Sequence, residues 1–452
     1  MNLWILTEEK PRISVLKEIL ELYQNEFKGN YSIISDLIVT PMMDHNSAFT
    51  FKYELTGVEI NEKSKVFIKI VSGNSSFLDF LVIERTQEPN PVEDNNIIFG
   101  VEETKTSDHE SRNTGVFQRI SKFVYIKSYF DSLPLYMLYN EDLEQDSMKK
   151  PSPTNVFGTN LLLTMGVKII GKPTDTWFND FRSIDELIAF KNSMRRPPKS
   201  NIPILIDKFE HKIEISGRLS KPSDKGNIGH DPNIGAITAI AYTLRILGWN
   251  KNITITKHGV SQKYLNRATI KNKFLLIARE LDLHLNGVTI KNLDASPPYY
   301  WKYETKSEKI ASIMYHIISE NRGHTAIYHN HAGCERSYFR TQNNKLITIP
   351  KKNSNNELLY IPDLIIKDDR NKLILLIEGK QLSTIDNGVD ELNQFDDIET
   401  DYINVYYPAY NVKRCLTIFG GKLNRLPNDK VGFYLSDNGK YYENSSIVNS
   451  ND

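Results

Sequence analysis

Two acids and a lysine near the C-terminus have the types and spacing for phosphodiester hydrolysis: Pro362-Asp363, then Glu378-Gly379-Lys380. Between them Leu364-Ile365-Ile366 is apolar, Asp368-Asp369-Arg370-Asn371 has turn composition, and Leu373–Ile377 is apolar again. That is the pattern of a β-hairpin. The midpoint of 363 and 378 falls inside the turn, so the two acids should face each other across the paired strands. Alternation along a strand puts Glu378 and Lys380 on one face and Gly379 on the other. Paired carboxylates suit Mg²⁺, a hard cation that keeps waters for reaction. The ion polarises a phosphoryl oxygen and acidifies a bound water. A lysine beside it orients that water and stabilises charge developing on the phosphate. Glu335, upstream in a His-Ala-Gly-Cys-Glu-Arg-Ser stretch, offers a further carboxylate. Glu-x-Lys alone is not specific, since Glu8-Glu9-Lys10 and Glu304-Thr305-Lys306 also match it. Pro-Asp, the apolar strands and the register together single out 363, 378 and 380.

A second set repeats the pattern nearer the N-terminus. Asp79 sits inside an apolar run, where an unpaired carboxylate is costly to bury. Glu103 and Lys105 share a face at the end of the run that starts at Ile97, and Pro89-Asn90-Pro91 marks the turn at the midpoint of 79 and 103. Glu102 also precedes Lys105, but alternation should turn it to the other face. The polar stretch that follows contains Arg112, Asn113, Gln118, Arg119 and Lys122, types suited to phosphate and base-edge contacts.

The segment from Tyr360 to Lys380, with Glu335 ahead of it and Glu391-Leu-Asn-Gln394-Phe beyond, resembles the PD-(D/E)XK nuclease superfamily, and within it the type II restriction endonucleases. The resemblance implies that Asp363 and Glu378 hold Mg²⁺, that Lys380 is the catalytic lysine, and that Gln394 lies on the helix after the hairpin. The N-terminal stretch is similar to restriction enzymes in which a Glu-x-Lys strand end leads into a polar recognition helix. There Asp79 and Glu103 would be the metal ligands, although Leu78-Asp79 stands where the family has Pro-Asp. The fold implied is α/β, a restriction-endonuclease-like mixed sheet flanked by helices, in two regions around a DNA-binding middle. The activity implied is sequence-specific cleavage of double-stranded DNA leaving 5′-phosphates, with a cognate DNA methyltransferase in the same system. Two working sites would let a monomer cut both strands; one would require a homodimer. The rival readings are a structure-specific or repair nuclease, and a DNA-binding module on an inactive nuclease fold.

The elements that must position these groups fall into three regions. Residues 1–150 have a helix at Ile13–Phe27, strand-like runs at Val66–Val71, Phe77–Glu84 and Ile97–Glu103, and a polar helix over Asn113–Phe130. Residues 151–306 form the middle region, where Asp231-Pro232 caps the apolar helix Ile234–Leu247 after a glycine loop. Residues 307–452 begin with a helix at Ser307–Glu320 and continue through strands Leu358–Ile366 and Leu373–Glu378. The glycines of 226–235 are not a phosphate loop, because no Gly-Lys-Ser/Thr closes them. His329-Asn330-His331 is a loop ahead of Glu335 rather than a metal motif. Acids and bases balance at 56 each, which argues against a nonspecific basic DNA coat. Cys334 and Cys415 form no C-x-x-C pair, so neither a disulfide framework nor a cysteine zinc site is expected. An acidic N-terminal stretch and the lack of a long apolar run point to a cytoplasmic chain that does not enter membranes.

Overall fold

The structure, a computed structural model, describes residues 1–61, 64–73, 78–89, 97–104, 115–127, 130, 132–139, 152–171, 177–194, 204–219, 231–269, 272–292, 303–304, 307–331, 338–350, 352–353 and 355–448. It is a mixed α/β protein with several sheets. Two compact units divide the chain, one of residues 1–72, 82–89 and 303–452, the other of residues 73–81 and 90–302. This division cuts across the three successive regions marked in the sequence. Its cause is non-local. The N-terminal strands join the C-terminal region: Asn321 Nδ2 donates to the Val39 carbonyl at 3.0 Å, and the Phe49 amide donates to Gly439 O at 2.8 Å. Among the described residues, no helix is long and apolar enough to cross a membrane.

In the first unit, strands Asn2–Thr7 and Ser64–Ile70 run parallel, and Phe49–Ile60 pairs antiparallel with both Ser64–Ile70 and Tyr31–Met43. The Ile13–Phe27 helix spans the expected residues and buries Val15, Leu16, Ile19, Leu20 and Tyr23 at helical spacing. A second sheet of six strands has the order Thr325–His329, Leu364–Asp368, Leu373–Gln381, Asn411–Phe419, Val431–Leu435, Tyr441–Glu443. Residues 373–377 are buried without alternation. Such a run belongs to a strand covered on both faces. Ile374 and Leu376 pack with Leu392, Leu416 and Ile418 in one core cluster, and the Lys309–Asn321 helix also packs against this strand. The strand expected from Leu358 begins only at Leu364; before it, Leu358 makes a single isolated bridge to Lys352. Pro362 has no N–H to donate to a ladder, which accounts for the late start.

In the second unit, strands Ile97–Thr104, Leu135–Tyr139 and Lys168–Ile170 run parallel, and strands Leu205–Lys208, Lys212–Ser216, Asn252–Thr256 and Leu283–Leu285 form a separate sheet. The polar helix occupies Gly115–Lys127 and packs on the Pro232–Ile246 helix. Asp231 caps that second helix as expected, accepting from the Asn233 and Ile234 amides, with Pro232 in its first turn.

Candidate active site

The hairpin forms in the anticipated register. Leu364 pairs with Ile377 and Asp368 with Leu373, which sets Asp363 beside Glu378. Its turn is held by Asp368, whose Oδ1 accepts from the Arg370 and Asn371 amides at 2.9 and 3.1 Å. Asp363 is fastened to the opposite strand: its Oδ2 accepts the Gly379 N–H at 3.1 Å. Lys380 Nζ lies 2.7 Å from Glu378 Oε1 and 2.8 Å from Glu391 Oε2. Glu391 comes from the Ile385–Leu392 helix. A Cβ at Gly388 of that helix would lie 2.8 Å from Lys380 Cγ and 3.0 Å from Leu416, so glycine lets the helix close over the lysine stem. On the other face Gly379 presses against Ser312 of the Lys309–Asn321 helix, and Ser312 Oγ shares a 2.5 Å hydrogen bond with Thr417 Oγ1.

Electrostatics marks this as a place that favours a cation. Burial pushes Asp363 up to about 6, against the Gly379 N–H and Lys380, which lower it, while Glu308 and Glu391 add to the rise. Burial and then the Asp363 charge push Glu378 up to about 8. Burial opposes the charge on Lys380, yet its hydrogen bonds to Glu378 and Glu391 prevail and its pKa is raised. A raised Glu378 favours a proton on the acid, whereas a raised Lys380 favours an ionised one. The coherent direction is an acid pair with high proton affinity beside a permanently charged lysine. A divalent cation would relieve the same repulsion that the proton relieves. Among the described residues no three His, Cys, Asp or Glu side chains stand together as a metal-binding group. The two carboxylates nonetheless fit Mg²⁺, which is bound through one or two carboxylates and otherwise keeps water.

Sequence reasoning missed Glu391 and Glu308 as partners, since both arrive from elements outside the hairpin. Glu391 lies in the stretch that carried the resemblance and joins Glu378 in pairing with Lys380. Gln394, expected on the helix after the hairpin, lies in an exposed turn beyond the helix end at Leu392. Glu335 falls outside the described residues, as do Lys105, Arg112 and Asn113; Gln118 lies within the Gly115–Lys127 helix.

Asp79 and the end of the Ile97–Thr104 strand also meet, in a different phase from the one expected. Asp79 Oδ2 accepts the Glu103 N–H at 2.8 Å, and the Asp79 N–H donates to Glu102 Oε2 at 3.2 Å. It is therefore Glu102, not Glu103, whose carboxylate turns to Asp79. Glu103 is buried as well. Arg119 and Lys122, read from the sequence as DNA contacts, both turn to Glu102: Lys122 Nζ is 2.7 Å from its Oε1, and Arg119 Nε is 3.9 Å away with the arginine buried. Burial and then the Asp79 charge raise Glu102 to about 8, while Lys122 and Arg119 pull it down.

A polar chain lies behind the first site. His316 Nδ1 meets His331 Nε2 at 3.1 Å, and His316 Nε2 meets Glu320 Oε1 at 3.1 Å. Glu320 also pairs with Lys10. Ser312, His316 and Glu320 are spaced four residues apart along one helix stripe. His329, expected in a loop, ends the Thr325–His329 strand, and its ring lies 5.8 Å from that of His331.

Comparison with known protein families, with characterised proteins and with solved structures finds no match to this chain.

Proposed function

We propose that the chain is a Mg²⁺-dependent DNA endonuclease of the PD-(D/E)XK kind, with a restriction-endonuclease-like fold around the 364–381 hairpin, and that it acts as a type II restriction enzyme. The observation that carries this reading is the meeting of Asp363, Glu378 and Lys380 at one hairpin end, with Asp363 tied to the Gly379 N–H. When bound, Mg²⁺ supplies Lewis acidity and a water of lowered pKa. Asp363 and Glu378 would hold it. The Gly379 N–H fixes the orientation of Asp363, and Glu391 steers Lys380. Lys380 keeps a positive charge beside the carboxylates, where it stabilises the charge that develops on the phosphate. Double-stranded DNA is the substrate class, the product end is a 5′-phosphate, and a methyltransferase protecting the same sequence is the expected partner system.

Digestion of plasmid DNA with Mg²⁺, followed by end sequencing, tests the reading. Cuts recurring at one short sequence are expected. Cuts tied to branched or damaged DNA would make it a repair nuclease, and DNA binding without cleavage would make it an inactive nuclease fold. Full cleavage in excess EDTA would sink the metal mechanism.

A further inference from the structure

We infer that Asp79, Glu102 and Lys122 form a second phosphodiester-cleaving centre, its lysine delivered from a helix, and that this centre takes up its divalent cation more weakly than the first. The inference rests on the nuclease reading above. In both places an aspartate Oδ2 accepts the N–H of a residue on the partner strand, Gly379 at 3.1 Å and Glu103 at 2.8 Å. In both, the residue just before that N–H is the glutamate facing the aspartate, Glu378 in one and Glu102 in the other. Two residues beyond Glu378 stands Lys380; two beyond Glu102 stands Thr104, so the strand has no lysine in that place. The Gly115–Lys127 helix supplies one. Lys122 Nζ lies 2.7 Å from Glu102 Oε1 and 3.5 Å from Asp79 Oδ1. The two lysines are equally open, with 17% of the Lys380 side chain and 18% of the Lys122 side chain exposed. Glu102 Oε1 is fully buried and accepts no well-directed hydrogen bond, meeting the charges of Lys122 at 2.7 Å and Arg119 at 3.9 Å. A divalent cation would have to share that oxygen with the lysine, as it would share Glu378 Oε1 with Lys380.

The difference lies in the surrounding charge. Around the first centre the extra groups are acids, Glu391 on Lys380 and Glu308 near Asp363. Around the second they are bases: Arg119 approaches Glu102, and the buried Lys273 is near enough to Lys122 for their charges to interact. Added positive charge repels an incoming cation, so the second centre should need at least about tenfold more of it, a difference of ~1.4 kcal/mol. The step is hydrolysis at each centre. A water oxygen bonds to phosphorus as one of its protons passes to solvent. The P–O3′ bond breaks with its electron pair going to the 3′-oxygen, and that oxygen takes up one proton from solvent to leave as the 3′-hydroxyl.

The full chain is tested on supercoiled plasmid over a Mg²⁺ titration, with Mn²⁺ binding counted by electron paramagnetic resonance. Two Mn²⁺ per chain are expected, at least tenfold apart in affinity, and nicked circles should precede linear product as Mg²⁺ rises. Glu102→Gln should bind one Mn²⁺ and nick a single strand, Lys122→Met should nick that same strand, and Glu378→Gln should nick the other. Thermal melting checks each variant for folding, and Lys122→Met decides if Glu102→Gln does not fold. Unchanged linear product from both Glu102→Gln and Lys122→Met, or a single-strand nick from Glu103→Gln in place of Glu102→Gln, overturns the second centre while the nuclease reading stands. Absence of any Mg²⁺-dependent cleavage by the unaltered chain defeats the nuclease reading itself.

Discussion

The end of the 364–381 hairpin and the end of the Ile97–Thr104 strand face one physical problem, the close placement of two like charges, and meet it by different routes. Each anchors its aspartate with a strand N–H. The first then takes its lysine from the same strand as its glutamate and lets a helix contribute a third acid. The second takes its lysine from a helix and backs it with Arg119 and Lys273. Two ionic surroundings built on one backbone device separate geometry, which the device fixes, from local charge, which the neighbouring elements fix.

Breaking the first centre should have the largest effect. Lys380→Ala is expected to lower cutting of its strand by about 10²–10³-fold, as loss of a charge-stabilising group typically does. Nicked circles from the other centre should remain, and DNA affinity should stay within about threefold, below ~1 kcal/mol. Lost binding at an unchanged cutting rate would overturn the transition-state role given to Lys380. Gly379→Ala sharpens the contrast from the backbone side. Its methyl would run into Ser312, costing about 1–3 kcal/mol in denaturant unfolding. The equivalent position in the second centre already carries the Glu103 side chain. A Ser312→Ala change in the Gly379→Ala background should return part of the loss.

Removing the third acid separates positioning from charge. Glu391→Gln should slow the first strand roughly tenfold, about 1.5 kcal/mol of a charge-assisted hydrogen bond. Because Glu391 helps raise the Lys380 pKa, the alkaline limb of the pH–rate profile should move to lower pH. A purely structural role would leave that limb in place. Glu378→Gln should raise metal-free stability by about 1–2 kcal/mol at pH 8. An acid whose folded pKa is raised contributes stability below its unfolded pKa and loses it as pH rises through about 8. The gain should therefore fade towards pH 4, which urea unfolding at the two pH values measures. The smallest effect belongs to Asp231→Ala, expected to cost about 1 kcal/mol by removing a helix cap. Since that helix packs on the one carrying Lys122, cutting of the second strand should suffer more than cutting of the first.

The first centre was legible because all three groups sit on one hairpin, where local alternation and the turn fix the register. Proline at 362 and the unbroken apolar run before Glu378 added to that. The second was legible only in outline. Choosing Glu103 followed from seeking a lysine two residues on, but the phase is set by the Asp79–Glu103 N–H bond, which joins segments far apart in sequence. Lys122 lay in view as a helix cation without its direction being readable. The joining of residues 1–72 with residues 303–452 was likewise beyond reach, because it depends on pairings such as Asn321 with Val39 that no local pattern encodes.

The polar stripe of the Lys309–Asn321 helix ties the first centre to the acid tolerance of its unit. Burial holds His316 below its usual range, and burial together with His316, His329, Lys10 and Lys309 holds His331 well below it. A depressed histidine contributes stability above its unfolded pKa and loses it as pH falls. Glu320 is held down at about 2: burial raises it, but His316 and Lys10 outweigh that, so its share is lost in acid as well. Asp363 and Glu378, raised to about 6 and about 8, erode stability in the opposite direction. The metal-free chain should thus be most stable in mildly acidic solution. A cation that keeps both carboxylates ionised would remove their share of the alkaline slope, leaving that of Glu102, and would leave the acid slope intact. The pH of greatest thermal stability then becomes a gauge of metal occupancy, readable without DNA and without a single turnover.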